Sequence, residues 1–102
     1  MSNKKAKLVR DNIPEIVKQK GGTPVSHLAT EDEYLKMLLE KLQEEVDEFK
    51  AEQNIEELAD ILEVIDALIV AHNFNKTEIE QVKNKKLAER GGFTKKIILE
   101  DW

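Results

Sequence analysis

Residues 30–71 read TEDEYLKMLLEKLQEEVDEFKAEQNIEELADILEVIDALIVA, and this stretch decides the fold class. Thr30, followed three residues on by Glu33, is a capping-box start for a helix. Leu35, Leu38, Leu39, Leu42, Val46 and Phe49 recur at spacings of three and four, one face of a helix running to about Ala51. Asn54-Ile55-Glu56-Glu57 restarts the pattern, and the next helix carries Leu58, Ile61, Leu62, Ile65, Leu68 and Ile69 to a stop near Asn73. The connection at Gln53-Asn54 is so short that the two helices must be antiparallel neighbours.

Outward from this hairpin, Asn75-Lys76-Thr77-Glu78 caps a further helix that Gly91-Gly92 ends. Toward the N-terminus, Asp11 or Asn12 caps a short helix ending at Gly21-Gly22, with Pro14 in its first turn, where a missing N–H does no harm. Two segments, Thr23 to Leu28 and Thr94 to Leu99, do not read as helix and are expected to pair as a small β ribbon. The expectation is one all-α domain over residues 1–102, a helical bundle with a short N-terminal helix and that ribbon.

Composition narrows the function. The chain has no cysteine, so disulfides and thiolate metal sites are excluded, and two histidines leave any metal to carboxylates. The longest apolar run, Ala67 to Ala71, is far below the roughly 20 residues of a membrane span, so a soluble cytoplasmic protein without a membrane partner is expected. The net charge of −5 is unevenly spread. Residues 31–66 hold fourteen acids against three lysines, and residues 76–96 hold seven basic residues against three acids. A binder of nucleic acid polymers would show a dominant basic face. An acidic middle between basic flanks suits cations held by carboxylates and phosphates held by Lys and Arg.

Glu45 and Glu48 are three apart on the first long helix, and Glu57 and Asp60 are three apart on the second, so each pair projects from one side. Glu45 falls at the edge of the apolar stripe, next to Leu38 and Phe49. Glu57 and Asp60 share a flank with Val64, Ala67 and Ala71. Four acids converging on faces that look partly buried would repel one another unless cations joined them. Oxygen-only ligands select hard ions, chiefly Mg2+ or Mn2+. The alternative is a solvated acidic face, to which Glu44, Asp47, Glu56, Glu63 and Asp66 are assigned. Glu57 has a second alternative, closing a capping box on Asn54.

Glu45-x-x-Glu48 followed by Glu57-x-x-Asp60 resembles the signature of the all-α NTP pyrophosphohydrolases, the MazG-like superfamily that includes the dimeric dUTPases and phosphoribosyl-ATP pyrophosphohydrolases. Lys7 to Pro14, Tyr34 to Phe49, Glu57 to Leu68 and Arg90-Gly91-Gly92-Phe93 resemble its small phosphoribosyl-ATP pyrophosphohydrolase-like, house-cleaning branch. Eight residues separate the two acid pairs, fewer than in typical MazG proteins. The resemblance implies Mg2+-dependent hydrolysis of a nucleoside triphosphate to a monophosphate and pyrophosphate. Glu45, Glu48, Glu57 and Asp60 would be both the metal set and the catalytic residues. It also implies a homodimer or homotetramer. The nearly all-round apolar helix from Leu58 to Ala71 supports an oligomer independently. Two other readings stand beside this one: phosphoribosyl-ATP hydrolysis in histidine biosynthesis, and a non-catalytic helical oligomerisation module.

Phosphate ligands should be basic and outside the acids. Lys83, Lys86 and Arg90, at spacings of three and four, line one helical face and form one candidate set; Lys7 and Arg10 form the other. A solubilising basic face is the alternative for the helix. Tyr34 and Phe49 are expected in the core, with Tyr34 able to border a base pocket. His27 is expected at the surface, His72 at a helix end or in the core, and Lys4 and Lys5 as disordered charge.

Overall fold

The computed structural model describes residues 5–102; Lys4 lies outside them. The chain folds into four helices, α1 (Ile13–Gln19), α2 (Glu31–Glu52), α3 (Ile55–Ala71) and α4 (Lys76–Arg90), with no strand among the described residues. Among the described residues, no helix is long and apolar enough to cross a membrane.

Side-chain caps set three of the helix starts. Thr30 Oγ1 accepts from Glu33 N, Asn54 Oδ1 from Glu57 N and Asn75 Oδ1 from Glu78 N. Each satisfies one backbone donor that the first turn would otherwise leave unpaired. α1 lacks such a cap: Asn12 precedes it in a helical conformation with no side-chain bond. α2 stops at Gln53, whose φ of 48° is left-handed, and Asn54 at once caps α3. The reversal therefore takes two residues, and α2 and α3 are the one pair of helices packed along their length.

Little of the chain is buried. Leu38 (2 % exposed) and Val64 (8 %) form the apolar centre of the α2–α3 contact. Tyr34 and Phe49 are half-buried rather than fully in the core. α1 and the segment before it lie over the groove between the two long helices, while α4 is tied to α3 at its start, where Lys76 Nζ lies 3.7 Å from Asp66 Oδ1, and does not pack along the hairpin. The radius of gyration is 17.9 Å, against about 13 Å for a compact chain of this length. Leu58, Leu62 and Ile65 form an exposed stripe on α3, with Leu62 61 % exposed.

The expected β ribbon does not form. Thr94 to Leu99 is interrupted by Lys96 at φ 59°, where Lys96 N donates to Phe93 O in a turn. A left-handed residue breaks the alternation a strand needs. Val25, Leu28, Ile97 and Ile98 are exposed, and a two-stranded ribbon with no face to cover has little stability of its own.

Leu38→Ala is expected to destabilise the chain by about 2–5 kcal/mol, as cavity-forming changes do. Leu28→Ala, at a fully exposed position, should stay within about 0.5 kcal/mol. Urea unfolding of the two variants measures the contrast.

Candidate metal centre

The two-residue turn brings the end of α2 alongside the start of α3, and with them the two acid pairs. One carboxylate oxygen from each of Glu45, Glu48, Glu57 and Asp60 lies within 4.8 Å of the others. Glu45 is 5 % exposed, Glu57 and Asp60 are half-buried, and Glu48 faces solvent.

Two cations reach the cluster. Lys41, one turn before Glu45, places Nζ 3.2 Å from Glu45 Oε1 and 3.4 Å from Glu44 Oε1. Arg10, ahead of α1, donates from Nη2 to Asp60 Oδ1 at 2.6 Å. Lys7 stands 3.7 Å from Glu44. Four carboxylates thus face two cations, which leaves two negative charges uncompensated. Glu45 Oε2 and Glu57 Oε2 are buried without a hydrogen-bond partner, an arrangement that folded proteins rarely tolerate.

Glu45 and Glu57 both have carboxyl pKa values raised above the usual carboxylate range. For Glu45 the main cause is burial, reinforced by the charges of Glu48 and Asp60 and opposed by Lys41. For Glu57 the causes are burial first, then Glu48, close enough to share a proton, and the charges of Asp60 and Glu45. Glu57 does not close a reciprocal capping box: its backbone N–H bonds to Asn54, while its carboxylate joins the acids.

These residues fit a divalent cation. The donors are all hard carboxylate oxygens, the residual charge is negative, and two of the four acids each have a buried oxygen without a hydrogen-bond partner. A spread of up to 4.8 Å suits some direct bonds and some made through water, as Mg2+ usually retains.

A cleft of about 750 Å3 opens beside the acids. Lys7, Arg10, Lys41, Glu45 and Asp60 contribute charged lining, and Ile13, Tyr34, Leu38 and Val64 contribute apolar wall. A second, more open cleft of about 610 Å3 runs along the outer side of α2 past Lys7 and Glu48. Of the basic residues expected to bind phosphate, Lys7 and Arg10 come to the acids. Lys83, Lys86 and Arg90 are exposed on α4, line neither cleft and make no ion pair with any described residue.

Two charged contacts lie beyond the motif reading. Lys41–Glu45 has a sequence signal, a basic and an acidic residue four apart on one helix. Arg10–Asp60 has none, because fifty residues separate the partners. His27 lies at the surface as expected, but pairs with Glu33 at 3.0 Å.

Comparison with known proteins adds one likeness. A 46-residue stretch, 45 % of this chain, is 50 % identical to an uncharacterized protein of Mycolicibacterium smegmatis and spans 47 % of that protein. The match thus spans about half of each chain. No family model matches, and no solved structure does.

A raised carboxyl pKa in the folded state means that folding takes up protons more readily than the unfolded chain does. Stability from this source is present below the ordinary value of 4.5 and is lost as pH rises through the raised one. In EDTA, Glu57→Gln should therefore melt above wild type at pH 7.5, with the gap closing toward pH 4.5. Thermal melts at the two pH values measure it.

Proposed function

We propose that this chain is a Mg2+-dependent nucleoside triphosphate pyrophosphohydrolase of the MazG-like kind, which clears non-canonical nucleotides. The carrying observation is the pair of buried, unpartnered carboxylate oxygens in a four-acid cluster beside a cleft with basic residues at its rim. Resemblance of the acid signature to that superfamily points the same way.

In this reading Glu45, Glu48, Glu57 and Asp60 hold Mg2+ or Mn2+. The ion would neutralise phosphate charge and acidify a bound water. The chain's own part is placement. A carboxylate oxygen not engaged by the ion accepts the proton of the attacking water, and Lys7 and Arg10, which line the cleft, meet the phosphates. The apolar wall beside Tyr34 receives the nucleoside. Attack at the α phosphorus then gives a monophosphate and pyrophosphate. Phosphoribosyl-ATP would undergo the same bond cleavage at the same acids, so it belongs in the substrate panel.

The assembly proposed is a homodimer or homotetramer. Two buried apolar side chains among the described residues are a thin core for a chain of this length. The Leu58–Leu62–Ile65 stripe offers a second copy a matching surface, as an isologous contact requires. Lys83, Lys86 and Arg90 stand away from their own acids, so a role for them in holding phosphate requires that second copy.

Pyrophosphate release from a panel of canonical and damaged triphosphates, with Mg2+, tests the activity. Glu48→Gln and Asp60→Asn should each abolish it while helical content is kept. Orthophosphate and a diphosphate as products, or full activity in either variant, would overturn the reading. Sedimentation should give at least twice the 11.7 kDa chain mass, and Leu62→Lys should shift the species toward one chain.

A further inference from the structure

The segment from Lys7 to Pro14 is not absorbed by the acid cluster itself, yet it delivers Arg10 to the cluster. Arg10 Nη2 sits 2.6 Å from Asp60 Oδ1, with the arginine side chain about half exposed (55 %) and on the wall of the 750 Å3 cleft. Two facts make this contact unstable toward a ligand. A divalent cation among the acids would draw on the same Asp60 carboxylate and repel the guanidinium beside it. A phosphate group entering the cleft offers that planar guanidinium two anionic oxygens at once, a partner at least as good as one carboxylate oxygen. Lys41 has no such freedom: its side chain is mostly buried and already placed between Glu44 and Glu45.

We propose that Arg10 exchanges partners, holding Asp60 in the metal-free chain and turning to a phosphate oxygen of a triphosphate when a divalent cation takes the acids. The proposal rests on the reading of the cluster as a metal site. Arg10 is then a positioning residue that links the two ligands. Metal alone must displace it from Asp60, triphosphate rewards its departure, and the two ligands bind with positive coupling.

The test uses Mn2+ alone, followed by the electron paramagnetic resonance signal of the free ion, and inorganic tripolyphosphate in excess Mg2+, followed by calorimetry. Tripolyphosphate carries no base, so base preference does not enter. Arg10→Gln should bind Mn2+ alone about fivefold more tightly, at the lower end of coupling between linked sites. The same variant should bind Mg2+-tripolyphosphate roughly tenfold more weakly, as loss of a charge-assisted contact implies. Arg10→Lys keeps the charge and should restore the wild-type Mn2+ affinity while recovering only part of the tripolyphosphate affinity. Lys95→Gln removes one charge from a residue with no ion pair among those described and should match wild type in both. Mn2+ affinity unchanged or weakened in Arg10→Gln overturns the exchange and leaves the metal reading standing. Tighter Mn2+ with unchanged tripolyphosphate also overturns it, reducing Arg10 to a counter-ion. Failure of the wild-type chain to bind Mn2+ removes the metal reading, and the exchange falls with it.

Discussion

The structure depends on a conflict between packing and charge at one place. α2 and α3 must lie side by side to bury Leu38 and Val64, and the two-residue reversal at Gln53-Asn54 allows them no slack. That contact brings Glu45 and Glu48 up against Glu57 and Asp60. Like charges at such distances oppose the hydrophobic gain. Lys41 and Arg10 relieve half of the opposition. The same opposition raises the carboxyl pKa of Glu45 and Glu57, and one oxygen of each is buried without a partner. The rest of the molecule is arranged around this tension. The segment before α1 crosses the groove to deliver Arg10, and a cleft remains where that segment does not close against the hairpin.

The helical plan was legible because its signals are local. Thr30, Asn54 and Asn75 each cap the helix that their neighbours' periodicity predicts, and each cap is made as expected. The convergence of the four acids was legible for the same reason: two helical spacings and a short turn leave little choice of geometry. The ribbon was not legible, because the run Ile97-Ile98-Leu99 looks extended by composition while Lys96 beside it turns left-handed. A backbone dihedral at a lysine leaves no mark in the sequence.

Burial was the harder quantity to read. Periodicity shows which face of a helix is apolar but not what covers it. The α3 stripe at Leu58, Leu62 and Ile65 obeys the same pattern as Val64, yet only Val64 is buried within the chain. Arg10 illustrates the same limit for polar contacts. Its partner is decided by where the chain crosses the hairpin, fifty residues from Asp60. Lys7 and Arg10 on one side and Lys83, Lys86 and Arg90 on the other look equally suited to a phosphate by residue type, and tertiary placement separates them.

The hairpin turn has a kinetic consequence. All four acids fall between residues 45 and 60, so the cluster assembles from contacts close together in sequence, the kind that form early and fast. Closing a loop this short entails little entropy compared with pairing distant segments. The cluster can thus exist as soon as α2 and α3 have both been synthesised, before α4 or the residues after it are available. A cation bound there would link the two sides of that turn like a staple and disfavour every opening that separates the acids, local or global. Amide hydrogens of α2 and α3 near residues 45–60 should then exchange as a unit separate from those of α4.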